Sequence, residues 1–258
     1  MNEESFVSLR FGENAENYAK SKIHSVGKTL EMLNSVLKDE NNLCVVDIGC
    51  ATGNCSKSII DKSVEVIGVD PSHKMLQKAE ENFKFSNVKF TTIKAYAENL
   101  PIEDNYADLT VSRIAAHHYA DINKAFNEMI RVTKSGGHIC LIDLSGFEDT
   151  ELSTINHVIE LLHDPTHIKS YTLKSWKRKF NEKNIELILA EDVIHEIEQK
   201  ITTDQWCKIA KSGEDALAAI NKVLDVIPQK MMNQLGIYEA SNGYERYIST
   251  FFIFGKKK

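Results

Sequence analysis

A doubly wound α/β fold with a parallel sheet is predicted by three observations. The run Val45-Val46-Asp47-Ile48-Gly49-Cys50-Ala51-Thr52-Gly53 reads as a buried strand that stops in a glycine turn and feeds a helix. A second apolar run, Val66 to Val69, ends on Asp70 roughly 20 residues further on. Short apolar runs then keep alternating with amphipathic stretches, which implies βα units with right-handed crossovers.

The elements follow in order. Residues 13–38 are expected to be helical, with Val26, Leu30, Leu33, Val36 and Leu37 at amphipathic spacing. Strands are expected at 43–48, 64–69, 87–93, 106–112 and 138–144, each an apolar run bounded by turn signals. Helices are expected near 53–62, 72–84 and 121–134, with Ser72 as an N-cap and Gly136-Gly137 closing the last of them. After residue 145 the rhythm changes: helices near 150–163 and 172–183, a strand at 185–195, and helix over 203–233. Residues 234–246 read as loop, and the β-branched and aromatic run Tyr247 to Phe254 as a closing strand.

The turn after the first strand selects a ligand. A dinucleotide fingerprint is G-x-G-x-x-G, because a pyrophosphate must approach backbone N–H groups. This chain has D-x-G-x-x-x-G, with Ala51 where a middle glycine is expected and Asp47 closing the strand. A carboxylate there repels a pyrophosphate and welcomes an ammonium group. The pattern suits a ribose with a cationic head, such as S-adenosylmethionine. Asp70 is placed to accept ribose hydroxyls, with capping of the next helix as the alternative role. Asp47, Gly49, Cys50 and Gly53 would shape the pocket for the cationic end, Gly49 by letting the backbone approach closely.

Several segments, in the same order, resemble class I S-adenosylmethionine-dependent methyltransferases of the ubiquinone/menaquinone-biosynthesis type. They are VVDIGCATG (45–53), VIGVDPSHKML (66–76), AYAENLPIEDNYADLTVSRIAAHHYAD (95–121) and FNEMIRVTKSGGHICLID (126–143). The run LLHDPTHIKSYTLKSW (161–176) is similar to a smaller bacterial subgroup. The resemblance implies a Rossmann-like sheet of seven strands in order 3-2-1-4-5-7-6, with the last strand antiparallel and helical cap elements over the strand C-termini. It divides one domain, 1–258, into an N-terminal helical lid (1–42), a cofactor-binding core (43–145) and a cap with the last two strands (146–258).

It also implies roles. Pro71, Ser72 and Met75 would flank the adenine, with core packing as the alternative for Met75. Tyr96, Ala97 and Glu98 match the adenine turn. Relatives often carry an acid where Tyr96 stands, so Tyr96 would offer its hydroxyl or ring face instead. Ser112 and Arg113 would end strand four at the sulfonium side, with Arg113 turned away from the cation or toward substrate. Tyr18 and His24 match positions on a helix that closes over the cofactor. His117 and His118 are the candidates for a general base, because imidazole titrates near neutrality. A loop histidine bonded to backbone is the alternative for either. Asp143 is placed to orient a histidine or a substrate hydroxyl.

Composition fits a cytoplasmic enzyme acting on a small molecule. A net charge of −6 argues against a nucleic-acid substrate, and Lys174, Lys177, Arg178 and Lys179 read as a solvated helix face beside Trp176 and Phe180. Strand four lacks the Asn/Asp-Pro-Pro-aromatic ending of many amino-methylating enzymes, which favours oxygen, carbon or simple amine acceptors. The five scattered cysteines have no zinc spacing and imply a reducing compartment. His163, Asp164 and His167 form an H-D-P-T-H run too thin for a metal site, and no membrane span is expected. Two rival functions use the same pocket: a noncatalytic S-adenosylmethionine-binding module, or an enzyme doing non-methylating chemistry such as cyclisation or decarboxylation.

Overall fold

A computed structural model describes residues 6–20 and 25–258. The first apolar runs pair as expected. Strands β1 (Leu43–Ile48), β2 (Ser63–Asp70), β3 (Lys89–Lys94), β4 (Ala107–Arg113) and β5 (Thr133–Leu144) are parallel neighbours, with β6 (Ile185–Val193) and a reversed closing strand completing the sheet. That last strand is β10 (Thr250–Lys257), which lies antiparallel between β5 and β6. The order β3-β2-β1-β4-β5-β10-β6 is the one the family resemblance implies, including the reversal. Its central strands bury both faces, which is why they read as continuous apolar runs rather than alternating ones.

Helices cover both faces. On one, α5 (Ile122–Val132) presents Ile122, Ala125, Phe126 and Met129 at helical spacing, and α7 (Leu173–Glu182) adds Trp176 and Phe180. The other face packs under α2 (Lys28–Val36) through Leu30 and Leu33, with Cys140 and Phe252 from the sheet. The basic residues of α7 do lie on its outer face, where Lys174 pairs with Glu148 at 3.4 Å and Arg178 with Glu182 at 3.6 Å.

A third apolar cluster lies beyond the strand C-termini. Helices α6 (Thr150–His163), α8 (Thr203–Ala210), α9 (Glu214–Leu224) and α10 (Gln229–Gln234) surround Trp206, Ile220, Leu224 and Met232. Helix α1 (Phe6–Lys20) packs on α8 and on α4 (His73–Phe83), so it lies across the same end of the sheet.

Several boundaries differ from the sequence expectation, each for a local reason. Among the described residues the 13–38 stretch is not one continuous helix; most of it lies in α1 and α2. Gly27, at φ +153°, precedes Lys28 in an extended conformation no helix accommodates, and residues 21–24 lie outside the described residues. The 53–62 helix is a short α3 (Asn54–Ser58) followed by a 3₁₀ turn. Residues 203–233 form three helices, because Lys211 adopts the left-handed conformation and Pro228 starts a new helix. The segment expected as loop, 234–246, contains a hairpin instead. Its strands β8 (Ile237–Ala240) and β9 (Gly243–Arg246) join the short β7 (Ile201–Thr202) in a second sheet. Gly136-Gly137 do not close α5, which ends at Val132; they lie inside β5. Ser72 precedes α4 but makes no side-chain cap bond.

Candidate functional site

The turn from β1 into α3 forms the floor of a cavity of about 340 Å³. Gly49 has φ +68°, and a Cβ on it would fall 2.5 Å from that of Ala115 and 3.0 Å from the Tyr119 hydroxyl. Only glycine fits there. Ala51 is also left-handed, at φ +46°, so this turn is built without the middle glycine. Gly53 caps α3 at φ +79° against Phe83 and does not line the cavity.

Two buried carboxylates face this turn. Asp47 is 1% exposed, and its Oδ2 accepts from the Ser56 backbone N–H (3.2 Å) and the Ser56 hydroxyl (2.5 Å). Its Oδ1 is buried with no partner. Burial pushes its pKa up to about 6 despite those bonds. Asp70 ties two turns together: Oδ2 accepts from Ala51 N (3.0 Å) and Oδ1 from Ser72 N (2.8 Å), and neither donor is a first-turn N–H of α4. Both bonds leave lone pairs on oxygens that border the cavity. Burial also raises this carboxyl to about 6. Cys50 lines the cavity, and burial followed by the charges of Asp70 and Asp47 holds its thiol far from ionisation.

The remaining expected residues divide cleanly. Tyr18, Pro71, Met75, Tyr96, Ala97, Glu98, Arg113 and His118 border the cavity; Ser72, Ser112 and His117 do not. Tyr96 is 48% exposed at its rim. Glu98 is tied to the entry of α5 by accepting from Asp121 N at 3.2 Å. Ser112 lies behind the wall: the Tyr119 hydroxyl donates to Ile48 O (3.0 Å), so Ser112 donates to that hydroxyl (2.8 Å). The guanidinium of Arg113 turns to Glu196 at 2.9 Å. Tyr18 carries a phenol raised by burial and then by the Asp164 charge. His24 lies outside the described residues.

Beyond His118 is a second cavity of about 70 Å³, sharing Phe11, Tyr18, Ile114 and His118 with the first. His117 lines it and is 5% exposed. Its Nδ1 lies 2.5 Å from Asp143 Oδ1, so Nδ1–H donates to the carboxylate and Nε2 is left as the proton acceptor. Burial alone would lower this imidazole, but the Asp143 charge and hydrogen bond prevail and raise it.

His118 is the opposite case. Its Nδ1 lies 3.1 Å from Thr166 O, and a carbonyl only accepts, so His118 is the Nδ1–H tautomer. Thr166 Oγ1 donates to Asp164 (2.8 Å) and accepts from the same Nδ1–H (3.0 Å). Burial and the adjacent His117 push His118 down to about 3. Arg10, from α1, closes this chain on Asp164 at 3.0 Å.

The H-D-P-T-H run is structural around its first two polar residues. His163 stacks on Trp206 with ring centroids 3.7 Å apart, and Asp164 receives Arg10 and Thr166. Among the described residues no three metal-binding side chains converge.

Sequence reading missed Phe11, Ile114 and Tyr119. Ile114 is a β-branched residue at φ +51° where β4 ends, an unfavourable conformation of the kind that accumulates at functional sites. Tyr119 had a signal, being next to the two histidines, while nothing local marked the other two.

Residues 46–141 match the family described as a methyltransferase domain. The uncharacterized methyltransferase YcgJ of Bacillus subtilis strain 168 is 30% identical over 201 residues, 77% of each chain. Its crystal structure superposes with a TM-score of 0.78 at 25% identity, covering 89% of this chain and 98% of that one. The structure of a putative methyltransferase from Bacillus halodurans C-125 gives 0.80 at 19% identity, covering 88% and 98%. A ubiquinone/menaquinone biosynthesis C-methyltransferase of Campylobacter jejuni (strain 81116) is 32% identical over 113 residues, 41% of this chain and 46% of that one.

Proposed function

We propose that this chain, which belongs to the class I S-adenosylmethionine-dependent methyltransferases, methylates oxygen, carbon or a simple amine nitrogen of a small, partly apolar molecule. It is an enzyme, and its cofactor is S-adenosylmethionine. The residues present fit that group. Asp47 Oδ1 is a buried orphan that an ammonium would satisfy, Gly49 leaves the floor open, and Asp70 offers lone pairs suited to ribose hydroxyls. Tyr96, Ala97 and Glu98 would border the adenine, with Pro71 and Met75 opposite. When bound, the cofactor supplies a methyl on sulfonium, a good leaving group, so aligning the acceptor accounts for much of the acceleration.

The chain's own residues then have separable tasks. Phe11, Tyr18 and Ile114 form the apolar throat between the two cavities and exclude water. His117 Nε2 takes the proton of an acceptor that must lose one, and Asp143 holds the ring and stabilises the imidazolium. His118 stays neutral and presents Nε2 as a hydrogen-bond acceptor beside the throat.

The observation that carries this reading is the His117–Asp143 pair in a chamber that shares a wall with the cofactor cavity. We also propose a cytoplasmic location, since the five scattered cysteines suit a reducing compartment. No helix among the described residues is long and apolar enough to cross a membrane. Calorimetric titration with S-adenosylmethionine and S-adenosylhomocysteine should give micromolar binding that Asp70→Ala removes, with NAD inert. Screening small acceptors for S-adenosylhomocysteine release then tests transfer. Acceptor conversion without that product would overturn methylation in favour of other chemistry in the same pocket.

A further inference from the structure

The segment between β5 and α7 lines a third cavity, open to solvent, of about 250 Å³. Helix α6 contributes Ser153, Asn156 and His157, and the loop that follows it contributes His167, Lys169 and Ser170. No aspartate or glutamate lines it, although the chain carries 37 acidic residues and a net charge of −6. His167 is 4% exposed, and its Nε2 is buried with no partner. The Ser170 hydroxyl is likewise buried and unpartnered. Buried polar atoms in native proteins almost always have partners, so two orphans on one cavity point to a ligand that satisfies them.

The cavity continues the site already described. His167 borders both the second and third cavities, and Ile168 borders both the cofactor cavity and the third. The imidazoles of His117 and His157 lie 5.4 and 5.5 Å from that of His167. The carboxylates acting on His167 belong to the other chamber's machinery. Glu160 borders the second cavity and pairs with Arg246 at 3.1 Å, and Asp143 holds His117. An ammonium, imidazole N–H groups and hydroxyls without a competing carboxylate form a donor set for an oxyanion.

We propose that the third cavity holds an anionic group of the acceptor, a carboxylate or a phosphate, through Lys169, His157, His167 and the Ser170 hydroxyl. This rests on the reading that the acceptor's reacting end occupies the second cavity. The substrate is then a molecule anchored at its charged end and methylated at the other, with His167 between the two. Specificity resides in the α6–α7 loop rather than in the cofactor core.

The test uses inorganic phosphate and acetate as probes on the full chain, followed by the NMR signals of the histidine rings. His157→Gln and His167→Gln assign the two resonances. The expected result is saturable shifts confined to His157 and His167, weakened at least about tenfold in Lys169→Glu, which removes one charge-assisted contact and sets a carboxylate beside the anion. Preference between the two probes identifies the acceptor's anion. Shifts spread evenly over the nine histidines, no shift with either anion, or shifts unaltered in Lys169→Glu and Ser170→Ala would each overturn the subsite. S-adenosylhomocysteine titration of the same variants separates the two readings. Unchanged cofactor affinity with no anion effect sinks this inference alone, whereas absent cofactor binding in the parent chain sinks the methyltransferase site itself.

Discussion

In the proposed site, Asp47 and His117 would each act through one unusual bond pattern. Asp47 keeps one carboxylate oxygen buried and without a partner, so an ammonium gains more there than it would at the surface. Asp47→Asn should weaken S-adenosylmethionine binding by about 1.5–3 kcal/mol, measured by calorimetry. Because its pKa stands near 6, the carboxylate ionises only above that pH, and cofactor affinity should fall as pH drops through 6. The proposed base, His117, has the opposite requirement, since it must be unprotonated to act. With the His117 pKa raised above 6.5, kcat should fall on acidification from an inflection above 6.5. His117→Gln should lower kcat about 10²–10⁴-fold with cofactor affinity unchanged, and Asp143→Asn should move the inflection down. A pH profile lacking that inflection, with full activity in His117→Gln, would remove the base from the mechanism. Residue types alone indicated both histidines. They could not separate them, because the difference lies in partners 26 and 48 positions away, Asp143 and Thr166.

At the scale of elements, the turn from β1 into α3 is where local sequence and tertiary packing meet. The D-x-G-x-x-x-G spacing was readable because each position has a backbone reason, and Gly49 has two: a left-handed φ and contact with Ala115. Gly49→Ala should cost about 1–3 kcal/mol in thermal unfolding and abolish cofactor binding. A variant with unchanged Tm and affinity would mean that the β4–α5 loop yields instead. The elements sequence reading misjudged are those whose structure depends on distant partners. The 234–246 hairpin has few apolar residues in register, and β9 is fixed by pairing with both β8 and Ile201–Thr202. Ser112 closes an apolar strand as expected, but Tyr119 occupies the space between it and the cavity. Strand order rested on family resemblance rather than on pattern, because the reversal of β10 leaves no mark on its own composition.

For the whole molecule, the cofactor half and the cap must hold a fixed distance if the methyl and the base are to meet one acceptor. One buried node does much of this. Glu196, 1% exposed and beyond the end of β6, accepts from the Arg113 guanidinium at the end of β4 and from the Thr29 hydroxyl (2.6 Å) of α2. The same carboxylate accepts from the Thr250 hydroxyl (3.0 Å) at the start of β10. Its backbone N–H donates to Ile248 O and its carbonyl accepts from Lys28 N, both at 2.9 Å. Three segments distant in sequence are therefore anchored on one carboxylate at the C-terminal edge of the sheet. Such a pair gains little over a well-packed apolar substitute, but removing one partner strands a buried charge. Glu196→Ala should therefore lose about 3–5 kcal/mol in urea unfolding. Arg113→Met combined with Glu196→Leu should lose less than the sum of the two single changes, because no charge is left unpaired. If the node positions the site as well as stabilising the fold, the double variant should bind cofactor while turning over acceptor more slowly. Additive losses would show that Arg113 and Glu196 act independently and that the alignment of the two halves is held elsewhere.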